Sequence, residues 1–164
     1  MKDYAHLLED DPAYAEKAKR FSFKVKDVME FFSEQKPELK YNLELEPELI
    51  TYHDACHLVH AQKISTQPRE VIKSLPGVKY TELEEASWCC GSAGIYNVVR
   101  YDDAIKQLER KMGNIKNTEA KIVLTGNPGC MGQIKHGTKK FNVDVEVLHP
   151  ITFIKRVLKS QQKL

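Results

Sequence analysis

Four cysteines, Cys56, Cys89, Cys90 and Cys130, are the residues of this chain best suited to chemistry. A thiolate is a nucleophile and a soft metal ligand. Four in one chain can hold an iron–sulfur cluster or a zinc ion, and a close pair can exchange with a disulfide. The spacing separates these uses. Cys89 and Cys90 are adjacent, in the loop Trp88-Cys89-Cys90-Gly91-Ser92-Ala93-Gly94. Neighbours on a strand point to opposite faces, so a vicinal pair fills a core poorly. Adjacent residues must also bend sharply to share one tetrahedral ion. A cluster takes the two thiolates at different iron atoms. The C-x2–4-C spacing of structural zinc sites is absent, as is the C-x2-C-x2-C run of bacterial ferredoxins. An iron–sulfur cluster is therefore the first reading. A zinc-stabilised interaction module and thiol–disulfide chemistry at Cys89-Cys90 stand as alternatives.

Other residues near the cysteines have the right chemistry to assist. Gly91 and Gly129 permit close backbone approach to a cofactor, and backbone N–H groups there can bond to cluster sulfides. Pro128 opens a helix that places Cys130 in its first turn, where the helix dipole favours the thiolate. His53 and His57 flank Cys56, and His57 is a candidate additional ligand. Asp54 reads as a cap for the turn that follows. His149 ends the last strand at the same sheet edge. Trp88 reads either as core or as a shield against solvent, and Tyr96 and Asn97 as nearby hydrogen-bond donors.

These residues need elements to bring them together. Leu49–His53, Val78–Leu83, Lys121–Thr125 and Val143–Leu148 read as strands. Helical patterns at Pro68–Leu75, from Asp102, from Pro128 and from Pro150 alternate with them. Asp102 is the expected cap of its helix. The alternation predicts an α/β fold: a parallel, doubly wound sheet of about four strands with flanking helices. Every cysteine then follows a strand end, on the sheet edge where such folds bind ligands. Upstream, Asp11-Pro12 starts a helix, and apolar residues from Tyr14 to Phe32 recur at steps of three and four. This predicts one long amphipathic helix. The organisation is an N-terminal helical arm at 1–36, a polar connector at 37–47 and the cysteine-bearing domain at 48–164.

Composition narrows the function classes. The 164 residues carry 25 basic and 23 acidic side chains, interspersed, for a net charge of +2. That balance gives no footprint for nucleic acid. No apolar run is long enough to span a membrane. The N-terminus lacks the pattern of a secretory signal, so a reducing, cytoplasmic setting is expected, where disulfides are disfavoured. No Gly-x-Gly-x-x-Gly fingerprint is present, so no nucleotide site is expected.

The pattern as a whole resembles the cysteine-rich CCG domain. That family shows a cysteine, a long gap, Cys-Cys-Gly, a second long gap and Cys-x-x-Cys. Here 32 residues separate Cys56 from Cys89-Cys90-Gly91, and 36 separate Cys90 from Asn127-Pro128-Gly129-Cys130. Asn127 stands where the family has its fourth cysteine. Tyr52-His53-Asp54-Ala55-Cys56-His57-Leu58 and Glu146-Val147-Leu148-His149-Pro150 add to the likeness, which is strongest to the C-terminal part of glycolate oxidase iron–sulfur subunits. Heterodisulfide reductase subunits are related. The resemblance implies an electron-transfer role beside a flavoprotein subunit that oxidises a 2-hydroxy acid. It implies Cys56, Cys89, Cys90 and Cys130 as ligands of a 4Fe–4S cluster, with Asn127 in the position of a further ligand. It also implies peripheral association with the inner membrane. Family members are usually longer, with two ferredoxin-type clusters and an earlier CCG repeat.

Overall fold

The computed structural model describes residues 1–35, 48–75 and 77–159. The expected connector at 37–47 lies outside them. Three helices come first, α1 (Tyr4–Leu7), α2 (Ala15–Lys24) and α3 (Val28–Gln35). Then follow β1 (Glu48–Tyr52), α4 (Cys56–His60), α5 (Thr66–Ser74) and β2 (Val78–Tyr80). The second half runs α6 (Tyr96–Val99), α7 (Tyr101–Asn117), β3 (Ile122–Leu124), α8 (Pro128–Lys140), β4 (Glu146–Leu148) and α9 (Pro150–Lys159).

The sheet is four-stranded and parallel throughout, in the order β2-β1-β3-β4. From β1 the chain goes first to one side, to β2, and then back across to β3. The strand order thus reverses at β1 and β3. The crevice between the C-terminal ends of two such strands is where open α/β sheets bind ligands. Side chains alternate across the sheet and feed two cores. Ile50, Tyr52, Ile122 and Leu124 join Met29 of α3, Ile72 of α5 and Phe153 of α9 on one face. Val123 and Val147 join Leu108 and Met112 of α7 and Ile134 of α8 on the other. Both faces are covered, as the doubly wound reading requires.

The structure corrects several element boundaries. The expected single helix from Asp11 to Phe32 is two helices, α2 and α3. Val25 is extended, with ψ 120°. Asp27 then starts α3: its Oδ1 accepts from the Met29 N–H at 2.9 Å, and Glu30 Oε2 accepts from the Asp27 N–H at 3.0 Å. This reciprocal cap stabilises a new helix start more than the unbroken periodicity stabilises a continuous one. The second strand stops at Tyr80; the Thr81 N–H still donates to Ile50 O at 3.0 Å, and just beyond it Leu83 is buried, in the second core, while Glu82 and Glu84 on either side are exposed. The fourth strand begins only at Glu146. Asp102 lies inside the first turn of α7, whose cap position is Arg100.

Asp54 does not cap α4, whose cap position is Ala55. It is instead gripped by Arg69 of α5. The guanidinium donates to both Asp54 oxygens at 2.9 Å and to Glu82 Oε1 at 2.7 Å. Asp54 N–H donates to Ala86 O at 3.1 Å. One arginine thus ties the turn after β1 to the segment after β2, two turns that carry cysteines. The pair is largely buried, with Asp54 6% and Arg69 17% exposed. Replacing Arg69 with Ala leaves a buried carboxylate without its partner, and should cost about 3–5 kcal/mol of stability. Chemical denaturation of Arg69→Ala against wild type measures it.

Candidate metal centre

The three turns at the strand ends carry the cysteines to one edge of the sheet, and among the described residues they place the sulfurs of Cys90 and Cys130 within 4.8 Å of each other. Cys56 is the first residue of α4 and is half-buried. Cys89 and Cys90 lie in the loop before α6, with Cys89 half-buried and Cys90 buried. Cys130 is the third residue of α8 and is buried. All four are free thiols. Three of them form a hydrogen-bonded chain from Cys89 to Cys90 to Cys130. The bond to Cys130 is the main reason that the Cys90 thiol is pushed up to about 12, with burial adding to it. The same bond is the main cause that lowers Cys130 below its ordinary value. Cys89, donating to Cys90, is raised as well. Negative charge on Cys56 or Cys89 would raise Cys130, so those two sulfurs lie within its electrostatic reach.

The backbone around the thiols is held tightly. The Gly91 N–H donates to Cys89 Sγ at 3.3 Å. Gly91 has φ +90°, and a Cβ there would lie 2.5 Å from the Ala104 carbonyl oxygen of α7. The loop can pass α7 this closely only with glycine. A Cβ on Gly129 would meet Ser92 Oγ at 2.8 Å and Asn127 Oδ1 at 3.0 Å, so the second glycine lets two cysteine-bearing turns touch. Asn127 caps α8: its Oδ1 accepts from the Cys130 N–H at 3.1 Å. Its Nδ2 lies 3.4 Å from His57 Nδ1. The structure thus places Asn127 and His57 side by side, linking the turns after β3 and β1.

Two residues gain an importance that their place in the sequence understates. Lys111 of α7 is fully buried, and its ammonium donates to the Glu85 carbonyl. Burial lowers it to about 8, while nearby Cys90 works the other way. A buried cation beside thiols favours thiolates. Its signal was positional: Lys111 falls three residues after Leu108 and four before Ile115, on the buried face of α7. His53 is likewise buried, and a ring nitrogen lies within 4.8 Å of the sulfurs of both Cys90 and Cys130. Trp88 is neither core nor deeply shielding. It is 46% exposed and stacks under Arg110, whose guanidinium carbon is 4.6 Å from the ring centre. Asn97 donates to Gln133 at 3.1 Å, and His149 Nδ1 accepts from the Ile151 N–H at 3.2 Å at the start of α9.

A parallel sheet with cysteine-bearing turns at a topological switch point is the architecture of a ligand site, here one carrying free thiols. Residues 50–135 match the family model of the CCG cysteine-rich domain, and the chain belongs to this family. It is similar to the probable glycolate oxidase iron–sulfur subunit of Bacillus subtilis, 43% identical over 144 residues, covering 85% of this chain and 32% of that protein. The glycolate oxidase iron–sulfur subunit of Escherichia coli is 28% identical over 161 residues, covering 98% of this chain and 38% of its own length. Lactate utilization protein A of Bacillus licheniformis is 28% identical over 149 residues, 91% of this chain and 62% of that protein. The chain therefore spans about a third to under two thirds of the length of these relatives.

The thiol chain has a measurable consequence in the reduced, metal-free protein. Of Cys89, Cys90 and Cys130, Cys130 should ionise first as pH rises, and Cys90 should remain a thiol well past pH 9. Ultraviolet thiolate absorbance against pH follows this, and Cys90→Ala should shift the Cys130 step to higher pH by removing the bond that stabilises the Cys130 thiolate. Gly91→Ala should cost about 1–3 kcal/mol, because it combines a positive φ with backbone collision. Thermal or denaturant unfolding reads this directly.

Proposed function

We propose that this chain is the cysteine-rich part of an iron–sulfur electron-transfer subunit in a 2-hydroxy-acid oxidase complex. The observation that carries the reading is the convergence of cysteine-bearing turns from three strand ends, with the sulfurs of Cys90 and Cys130 within 4.8 Å of each other. The donor chemistry fits an iron–sulfur group: thiols linked to one another, N–H groups aimed at sulfur, glycines where a side chain would obstruct, and a buried cation nearby. Cys56, Cys89, Cys90 and Cys130 would hold a cluster of the 4Fe–4S type, with Gly91 and Gly129 giving backbone access. His57 and Asn127 stand beside the site as additional polar contacts. The cluster, when bound, would take up and release one electron at a time.

The chain's own residues have defined tasks in this reading. The Asn127 cap fixes the first turn of α8 and so the direction of the Cys130 thiol. Arg69, through Asp54 and Ala86, fixes the turn after β1 against that after β2. Lys111 offsets negative charge accumulated on the thiolates. Residues 48–164 act as the cofactor-bearing domain, and residues 1–36 as a helical arm whose last helix reaches the core. The names of the relatives, glycolate oxidase iron–sulfur subunit and lactate utilization protein, support a hydroxy acid as the reductant of the whole complex. Oxidation of that acid would take place on a flavoprotein partner. No helix among the described residues is long and apolar enough to cross a membrane. Association would then be peripheral, at the cytoplasmic side of the inner membrane.

Anaerobic reconstitution with iron and sulfide tests the reading. The expected product holds about four irons and four sulfides per chain and has a broad visible absorption that bleaches with dithionite, as 4Fe–4S centres do. Cys90→Ser and Cys130→Ser should each abolish it while leaving the far-ultraviolet circular dichroism unchanged. Stoichiometric zinc with no iron uptake would favour a zinc-stabilised module instead.

A further inference from the structure

The thiolates are not the only donors buried at the switch point. His53 follows the last residue of β1, and Thr125 follows the last residue of β3. Among the described residues, His53 Nδ1 and Thr125 Oγ1 are the two buried side-chain atoms without a hydrogen-bond partner. Both orphans therefore lie at the C-terminal ends of the two central strands, where the ligand crevice of this topology opens. A native fold rarely leaves such atoms unpaired unless something else completes them.

The imidazole is placed and prepared as a ligand. His53 is 1% exposed, and one of its nitrogens, the Cys90 sulfur and the Cys130 sulfur all lie within 4.8 Å of one another. Ligands spread tetrahedrally around one ion at ordinary Zn–N and Zn–S bond lengths sit roughly 3.5–4 Å apart, so a small closure suffices. The ring also bonds to the Ala86 backbone carbonyl. With Nδ1 unpartnered, that bond belongs to Nε2–H. A ring N–H held by a carbonyl, with the opposite nitrogen free, is how metal-bound histidines are usually oriented.

We infer that His53 supplies a nitrogen ligand to the metal centre beside Cys90 and Cys130, taking a terminal position that one of the four cysteines would otherwise fill, so that the site is mixed nitrogen and sulfur rather than all-thiolate. This rests on the reading that the cysteines bind metal. It also gives the chain a donor beyond its four thiolates, although Asn127 occupies a family cysteine position. His57, by comparison, has its Nδ1 beside the Asn127 amide and is the natural control.

The test uses the full chain reconstituted anaerobically with iron and sulfide, and in parallel the metal-free chain loaded with cobalt(II). Pulsed electron paramagnetic resonance of the reduced iron form, with and without 15N-histidine labelling, should show a histidine nitrogen coupled to the cluster. X-ray absorption of the cobalt form should show nitrogen as well as sulfur in the first coordination sphere. Both signals should vanish in His53→Ala and persist in His57→Ala. Iron bound without histidine coupling, or coupling unchanged in His53→Ala, would overturn the inference while sparing the cluster reading. Failure to take up iron overturns the cluster reading, and the cobalt spectrum then decides on His53 by itself: sulfur-only scattering rejects it. Should His53→Ala not fold, His53→Gln replaces it, and 15N-histidine coupling that persists there rejects the inference.

Discussion

The structure hangs on the placement of β1 between β2 and β3. Ile50 pairs with Tyr80 on one side and with Ile122 on the other, and Tyr52 pairs with Leu124. This register brings the chain segments after three strands to one edge. The strands are short, of five residues or three, so their hydrogen bonds alone would hold them weakly. Burial on both faces supplies the rest: Ile50, Tyr52 and Leu124 are sealed by α3, α5 and α9, and Val123 by α7 and α8. The position of every candidate ligand follows from that arrangement.

Within this frame the site is held by polar links between turns. Arg69 joins the turn after β1 to the segment after β2. The Asn127–His57 contact joins the turns after β3 and β1. Gly129 against Ser92 joins those after β3 and β2. Each link spans two segments that carry a cysteine, so the thiol positions are set before any metal arrives. Preorganisation of this kind limits the rearrangement that metal binding must drive. It also explains why polar residues with no redox chemistry gather here.

Much of this was legible in the sequence. Apolar alternation and the spacing of Pro128 and Pro150 revealed the sheet and the helices α8 and α9, and the CCG spacing revealed the family. What escaped was decided by competition between local and tertiary terms. The break at Val25 depended on whether Asp27 and Glu30 would cap a new helix or ride on a continuous one, and periodicity does not report that balance. Asp54 looked like a cap because it precedes a turn, yet its real partner, Arg69, lies 15 residues away. Lys111 was hidden because a lysine on an amphipathic helix ordinarily reaches water. His53 appeared only as a neighbour of Cys56, because the parity that turns it inward at the strand end shows itself once β1 is paired.

One metal centre would join sulfurs contributed from the ends of β1, β2 and β3. Anomalous diffraction at the iron edge, from crystals of the anaerobically reconstituted protein, tests it most directly. An iron peak is expected at the switch point between β1 and β3, bounded by the sulfurs of Cys56, Cys89, Cys90 and Cys130. Iron density elsewhere, or a site that leaves Cys56 facing away from the other three sulfurs, would contradict it.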